Sequence, residues 1–334
     1  MRLAIYGAGS LGTVLGAYLA RKGIEADLIS RNEAHVASLQ KLGAQVVGKA
    51  NFTSPVNAML PKDMQGTYDL IFLLTKQLEN KKVALFLKEH LASDGMLCTM
   101  QNGLPEPELA EILGADRVTG CAIAWGATLL SPGTAELTSE IDSLTFNLGM
   151  MGTYNEEVLQ PIATILSAMG PVQMERNFMG ARYSKLLINS AFSGMATLLG
   201  CTFGEVVDSK QARKLAQQIM KECIETAKAS KVTFEPVQGK DIVKLFDYNS
   251  AGKRWVSYVL IPLAMKKHRA LKPSMLQDIE KGKPCEIDAI NGVLSREAKK
   301  VGVNTPVNDL VVRLIHRIEQ GELSPSKENL HYFS

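Results

Sequence analysis

A polar stripe lies on an otherwise apolar segment in the second half of the chain. Lys185, Asn189 and Ser193 recur at every fourth residue, which places them on one face of a predicted helix. The residues from Leu186 to Gly204 contain no Asp, Glu, Lys or Arg. A partly desolvated lysine has a lowered pKa, which suits donation of a proton to a carbonyl oxygen. The spacing fits equally a structural lysine that packs its stem on the core and extends its charge to water.

A glycine-rich turn near the start of the chain indicates a nucleotide. "GAGSLG" follows the predicted strand "RLAIY" and opens a predicted helix. The first glycine permits a tight turn, the second lets the backbone approach a pyrophosphate, and the third allows close packing of helix on strand. The helix N-terminus adds N–H groups and a positive dipole end. We therefore predict dinucleotide binding, rather than packing alone, by Gly7, Ala8, Gly9, Ser10, Leu11 and Gly12.

The end of the second predicted strand, "LISRNE", bears on which dinucleotide is bound. An acidic residue in this region usually binds the ribose 2′-hydroxyl of NAD. Here Arg31 occupies the region instead, and a guanidinium matches a 2′-phosphate in charge and geometry. This favours NADP (NADPH), although the nearby Glu33 leaves NAD open.

The organisation that must position these residues changes along the chain. The first third alternates short apolar runs with amphipathic helical segments, which predicts a parallel sheet with helices on both faces. The stretch over 117–149 is strand-rich, and a helix followed by the short strand "PVQME" is expected to finish the sheet. Helical periodicity then continues to about residue 320. We predict an α/β Rossmann-type domain over residues 1–175 and an all-α domain over residues 176–334.

Two further segments follow predicted parallel strands. "TKQ" and "MQNG" place Lys76 and Asn102 outside the carboxyl ends of strands, where open α/β sheets bind ligands. Each residue alone could also be an ordinary turn residue. Glu286 and Asp288 open an apolar helix, where acidic residues are common because they compensate the helix dipole.

Composition excludes several classes of protein. A net charge of +3 spread over 334 residues is too small to imply nucleic acid or a membrane surface as partner. The five cysteines are odd in number and never form a CxxC, and the histidines lack metal-ligand spacing. This argues for reduced thiols in a cytoplasmic protein without a metal site. The uncharged run after Lys185 contains polar residues and glycines, which favours a buried helix over a membrane span.

Short motifs occur in a specific order along almost the whole chain: "GAGSLG", "SR", "TKQ", "QNG", "GAT" with "SPG", "SKLLIN", "PSMLQD", "EIDAING" and "NTPVND". In this order and spacing the chain resembles the ketopantoate reductase (2-dehydropantoate 2-reductase) family. The resemblance implies a Rossmann domain joined to an all-α domain, with the active site in the cleft between them. It also implies reduction of a small-molecule 2-keto acid by hydride transfer from NADPH.

The resemblance further implies roles for individual residues. Lys185 would be the general acid that protonates the developing alkoxide, and Glu286 would order the lysine and one end of the cofactor. The substrate-binding residues would be Asn102, Asn189, Ser193 and Ser274. The cofactor-binding residues would be Gly7 to Gly12, Arg31, Lys76, Asn102, Ala127 and Glu286.

The chain departs from the family pattern at three positions. Ser193, Phe203 and Leu271 stand where the family often carries asparagines, so the pocket is expected to offer fewer polar groups to the substrate. Three functions stay open: ketopantoate reductase proper, a paralogous reductase of a bulkier or more apolar 2-keto acid, and a non-catalytic NADP-binding protein. The amphipathic helices permit a homodimer without requiring one.

Overall fold

The computed structural model describes residues 1–236 and 241–333. The chain divides into two compact units. The first contains Met1–Gln101 and Pro105–Phe178, and the second contains Asn102–Leu104 and the residues from Met179 onward. Each unit has its own hydrophobic core: two clusters lie in the first unit and one in the second.

The first unit is an α/β domain, as the sequence predicts. Its strands and helices are, in chain order, β1 (Leu3–Tyr6), α1 (Ser10–Arg21), β2 (Asp27–Ile29), α2 (Glu33–Leu42), β3 (Ala44–Gly48), β4 (Phe52–Ser54), β5 (Asn57–Met59), β6 (Tyr68–Leu73), α3 (Asn80–His90), β7 (Leu91–Thr99), α4 (Glu106–Leu113), β8 (Val118–Ile123), β9 (Ala127–Ser131), β10 (Thr134–Leu137), β11 (Phe146–Gly149), α5 (Glu156–Leu166) and β12 (Val172–Met174).

Within the described residues, eight strands form the main sheet in the order β12-β11-β8-β7-β6-β1-β2-β5. All neighbours are parallel except β8 and β11. Apart from Asp69, β6 is buried throughout, because both faces of a parallel sheet are covered. The chain runs from β1 to β2 on one side and later returns to β6 on the other side. Open α/β sheets bind their ligands at such a change of direction.

The strand-rich stretch over 117–149 contributes strands to two different sheets. Of the strands from β8 to β12, only β8, β11 and β12 join the main sheet, whereas β9 and β10 pair with β3 and β4 in a second, four-stranded sheet. The β9–β10 connection is held by His35, whose Nδ1 accepts from the Gly133 N–H at 3.0 Å. The other ring nitrogen lies 3.0 Å from Thr13 Oγ1. These contacts, between residues far apart in sequence, tie the hairpin to α1 and α2.

The second unit is helical, as predicted. Its elements are α6 (Phe178–Ile188, whose first residue belongs to the first unit), a π-helical turn (Asn189–Ser193), α7 (Gly194–Leu199), α8 (Phe203–Asp208), α9 (Lys210–Ala229), α10 (Ile242–Phe246), α11 (Ala251–Ala264), α12 (Ser274–Glu280), α13 (Ile287–Lys300) and α14 (Pro306–Glu319). Every residue of α7 is buried. Of the helices in the described ranges, none is both long and apolar enough to cross a membrane.

Candidate functional site

Close contacts within the protein require glycine at two of the three glycine positions in the turn after β1. Gly7 has a φ of +105°, and a Cβ there would lie 2.5 Å from the Thr75 nitrogen. A Cβ at Gly12 would lie 2.5 Å from the Gly7 carbonyl oxygen. At Gly9, by contrast, a Cβ would meet no atom of the described chain within 4 Å. Packing therefore accounts for the outer glycines but not for Gly9.

The N–H groups of this turn divide into two sets. Those of Gly7 and Ala8 donate to the Ile29 carbonyl at 3.0 and 2.9 Å, which holds the turn to the end of β2. The Gly9 N–H is also bonded, to the Gly7 carbonyl at 2.7 Å. Those of Ser10, Leu11 and Gly12 lie in the first turn of α1, where helix geometry supplies no acceptor. Among the described residues, no side chain caps α1. N–H donors, a positive dipole end and open space above Gly9 fit the pyrophosphate of a dinucleotide.

A buried amide pair fixes the segment after β6. Gln101 donates from Nε2 to the Thr75 carbonyl at 2.8 Å and to Asn80 Oδ1 at 2.7 Å, and Asn80 donates back to Gln101 Oε1 at 3.2 Å. These bonds join the ends of β6 and β7 to the start of α3. They hold the loop that carries the exposed Lys76 beside Gly7. Gln101 lies within "MQNG" but was not among the predicted site residues; its signal is a polar residue directly after a predicted buried strand.

Arg31 is exposed at the end of β2 and already has an acidic partner. Its Nη1 lies 2.7 Å from Glu79 Oε2, and the other oxygen of Glu79 lies 3.5 Å from Lys82 Nζ. The Arg31 guanidinium and Lys82 hold the pKa of Glu79 below its usual value. Tyr6, the last residue of β1, has a pKa raised by burial that also responds to the charges of Arg31 and Glu79. The ion pair thus lies near the end of β1, where the glycine turn begins.

Ala127 lies elsewhere in the first unit. It is the half-buried first residue of β9 and pairs with Leu137 of β10 in the second sheet. It follows β8 of the main sheet closely in sequence but lies within a strand of the second sheet, whereas the glycine turn, Arg31 and Lys76 lie in the connections after main-sheet strands.

The polar stripe of the second unit crosses a change in helix type. Lys185 lies half-buried in the last turn of α6, and Asn189, also half-buried, begins the π-helical turn. Ser193 ends that turn and is only 7% exposed. In an α-helix, side chains four residues apart are offset by about 40° around the helix axis. The wider π turn reduces this angular offset between Asn189 and Ser193. The π turn was not among the features predicted from the sequence.

The π turn is held by side chains from α13 and α14. Asn291 donates from Nδ2 to the Ser190 carbonyl at 2.9 Å and to Asn308 Oδ1 at 2.8 Å. Asn308 donates back to the Asn291 carbonyl at 2.9 Å. A Cβ at Gly194 would lie 2.7 Å from Asn291 Oδ1, so a larger residue there would displace the amide. Asn291 lies within "EIDAING", but nothing in the sequence marks it as buried.

An acidic side chain from a third helix caps α14. Both oxygens of Glu222, in α9, accept from the first turn of α14: from the Val307 N–H at 3.0 Å and from the Asn308 N–H at 3.0 Å. Burial raises the pKa of Glu222 to about 7, and the two N–H groups oppose that rise because they favour the carboxylate.

The other predicted residues of the second unit lie at the starts of helices or in loops. Glu286 is the buried N-cap residue of α13, whereas Ser274 is the exposed first residue of α12. Asn102 is half-buried and lies two residues before Leu104, which belongs to the same apolar core as Leu187. In the described ranges, no group of three or more His, Cys, Asp or Glu residues could hold a metal ion.

Two of the three departures from the expected asparagines lie together. Phe203 is buried, and its ring centroid lies 5.7 Å from that of Phe192. Its N–H donates to the Leu271 carbonyl at 3.0 Å. The Leu271 side chain is 42% exposed. One departure thus fills the core, and the other presents an apolar surface.

Two family models match this chain, one over most of the first unit and one over most of the second. Residues 3–150 match the model of the family described as ketopantoate reductase PanE/ApbA, and residues 177–319 match its C-terminal model. A 2-dehydropantoate 2-reductase from Aquifex aeolicus (strain VF5) is 25% identical over 94% of this chain and 96% of its own length.

Two solved structures have similar folds. One is a D-mandelate dehydrogenase with NADH and anilino(oxo)acetate, 25% identical, with a TM-score of 0.82 over 96% of this chain and 99% of that one. The other is a PanE/ApbA family ketopantoate reductase from Ralstonia eutropha JMP134, 25% identical, with a TM-score of 0.80 and the same coverage. Because the two family models together cover most of both units, the chain belongs to the ketopantoate reductase family.

Proposed function

We propose that this protein reduces ketopantoate to pantoate with NADPH, a step of pantothenate and coenzyme A biosynthesis in the cytoplasm. The observation that carries the proposal is the turn at Gly9, where a Cβ would meet no atom of the described residues and where the uncapped first turn of α1 begins. That geometry suits a pyrophosphate, and membership of the family supplies the reaction class.

We assign cofactor binding mainly to the first unit. Ser10, Leu11 and Gly12 would present N–H groups to the phosphates, and the absence of a side chain at Gly9 would let the phosphates approach them. Arg31 would pair with the 2′-phosphate, and Lys76 would add positive charge beside the turn. Ala127, Asn102 and Glu286 would complete the binding residues, as the family resemblance implies. The bound NADPH would supply the hydride.

We assign the proton to Lys185. Addition of hydride to a ketone places negative charge on oxygen, and a positioned ammonium both stabilises and protonates that oxygen. Lys185 is half-buried on a largely apolar helix, so its charge is partly removed from water. Glu286 would order the lysine. The substrate would be held by Asn102, Asn189, Ser193 and Ser274.

A second candidate is reduction of a more apolar 2-keto acid. Phe203 and Leu271 offer no side-chain hydrogen bonds where the family often has asparagines, and Leu271 is exposed. The similar D-mandelate dehydrogenase was solved with anilino(oxo)acetate, an aromatic ligand. Both observations favour a substrate with a larger apolar group.

The test is NADPH oxidation, followed by the loss of nicotinamide absorbance, with a panel of 2-keto acids. Ketopantoate, 2-ketoisovalerate, pyruvate and phenylglyoxylate are compared, with NADH as the control cofactor. Turnover selective for ketopantoate and NADPH supports the proposal, whereas selectivity for phenylglyoxylate supports the second candidate. NADPH binding without turnover of any keto acid would contradict both and indicate a binding protein.

A further inference from the structure

The acidic partner of Arg31 comes from a distant part of the chain. Glu79 lies just before α3, after β6, whereas Arg31 follows β2. These two strands flank β1, so the 2.7 Å ion pair joins loops on the two sides of the glycine turn. Neighbouring Lys82 contacts the second carboxylate oxygen. Two cations therefore share one carboxylate at the position where Arg31 would meet a 2′-phosphate.

The Arg31–Glu79 ion pair is exposed, so it can break at little cost in stability. The Arg31 side chain is 71% exposed and that of Glu79 is 42% exposed, and exposed pairs contribute little to stability. Although Glu79 is the N-cap residue of α3, its carboxylate binds the two cations rather than capping the helix. Its contact with Arg31 is thus its main described interaction, and a ligand of higher negative charge could replace it.

We infer that Glu79 restrains the preference for NADPH over NADH, because its carboxylate competes with the cofactor's 2′-phosphate for Arg31 and repels it. The inference rests on the proposed function. A 2′-phosphate carries more charge than a carboxylate and accepts both guanidinium N–H groups, so it displaces Glu79. The displaced carboxylate stays on the same short loop and keeps a negative charge near the phosphate. NADH carries a neutral 2′-hydroxyl there and experiences much less repulsion.

The experiment measures dissociation constants of NADPH and NADH by fluorescence titration of the full-length protein. Glu79→Gln keeps the size of the side chain and removes its charge. It should raise the ratio of the NADH to the NADPH dissociation constant by roughly three- to tenfold, the scale of one charge repulsion near a protein surface. The gain should shrink between about 0.01 M and about 1 M salt, where the Debye length falls from ~30 Å to ~3 Å.

The matched control is Glu89→Gln, which makes the same change in net charge at an exposed position of the same helix. Its ratio of the NADH to the NADPH dissociation constant should equal that of the unmodified protein. An equal rise in both variants, or no rise with Glu79→Gln, would overturn the inference. Glu79→Lys provides a second variant, for which the rise should exceed that of Glu79→Gln.

Arg31→Ala separates this inference from the proposed function. If Arg31 binds the 2′-phosphate, this variant should lose NADPH affinity far more than NADH affinity. In its background Glu79→Gln should raise the ratio by less than it does in the unmodified protein, because only the direct repulsion of the phosphate then remains. Failure of the unmodified protein to bind either cofactor would overturn the proposed function together with the inference. Selective NADPH binding that Glu79→Gln leaves unchanged would overturn the inference alone.

Discussion

The two units position their proposed site residues by different means. In the first, the glycine turn, Arg31 and Lys76 each follow a strand of the main sheet, so the sheet topology brings them to one edge. In the second, Lys185, Asn189 and Ser193 lie along one helical stretch whose winding changes at the π turn. That turn is held by amide side chains from α13 and α14.

This difference shows which changes each unit tolerates. The first unit depends on backbone geometry, because a Cβ at Gly7 or Gly12 would collide with backbone atoms. The second depends on buried hydrogen bonds among Asn291, Asn308 and Glu222. Loss of one such partner leaves a buried polar group unsatisfied, which costs about 1–3 kcal/mol. Substitutions can therefore test the two units separately.

The largest expected effect belongs to the second unit. Lys185→Ala should lower kcat by about 10²- to 10⁴-fold, the usual contribution of general acid–base catalysis. The NADPH dissociation constant should stay nearly unchanged, because the proposed phosphate-binding turn belongs to the first unit. Stopped-flow kinetics and fluorescence titration measure the two quantities. The control is Lys214→Ala, which removes an exposed lysine of α9. A Lys185→Ala enzyme with normal kcat would contradict the assigned role.

The next prediction separates stability from binding within the glycine turn. Gly7→Ala should lower the free energy of unfolding by about 1–3 kcal/mol for the left-handed backbone alone, with the clash at Thr75 adding to that loss. Gly9→Ala should cost less than about 1 kcal/mol, because its Cβ meets no described atom.

Gly9→Ala should nevertheless weaken NADPH binding by about 10- to 100-fold, because the added methyl group would hold the pyrophosphate away from the N–H groups of α1. This is the scale of a lost hydrogen bond to a charged group. Urea unfolding and cofactor titration give the two values for each variant. Unchanged NADPH affinity in Gly9→Ala would show that the open space above this glycine is not the phosphate site.

The smallest expected effect concerns pH and the capping of α14. The pKa of Glu222 is raised by burial from 4.5 to about 7, so the folded protein binds more protons than the unfolded chain between these values. Its contribution to stability is therefore complete below about pH 4.5 and is lost as the pH rises to about 7. The free energy of unfolding should fall over that range by about 1–3 kcal/mol more in the unmodified protein than in Glu222→Gln.

Urea unfolding at several pH values measures this difference. Glu328→Gln, at an exposed position of the second unit, should retain the pH dependence of the unmodified protein. Parallel pH curves for Glu222→Gln and the unmodified protein would mean that the two N–H groups outweigh burial and keep the carboxylate ionised.

The sequence by itself determined the features that have local causes. A tight turn between a strand and a helix requires glycine at fixed positions, so "GAGSLG" could be interpreted without any distant contact. Continuous apolar runs separated by amphipathic helices predicted the parallel sheet, and helical periodicity after Phe178 predicted the helical second unit. The family was also recognisable, because the order of short motifs is a property of the chain alone.

Tertiary structure decided the features that depend on residues far apart in the sequence. Residues 44–59 gave no strand prediction, because β3, β4 and β5 are three to five residues long and are stabilised by partners elsewhere in the chain. The π turn depends on Asn291, 101 residues from the Ser190 carbonyl that it binds. Glu33 is the acidic residue near Arg31 in the sequence, but the carboxylate that contacts Arg31 is that of Glu79, 48 residues along the chain. Packing brings such pairs together, and the spacing of residues along the chain does not show that they are close in space.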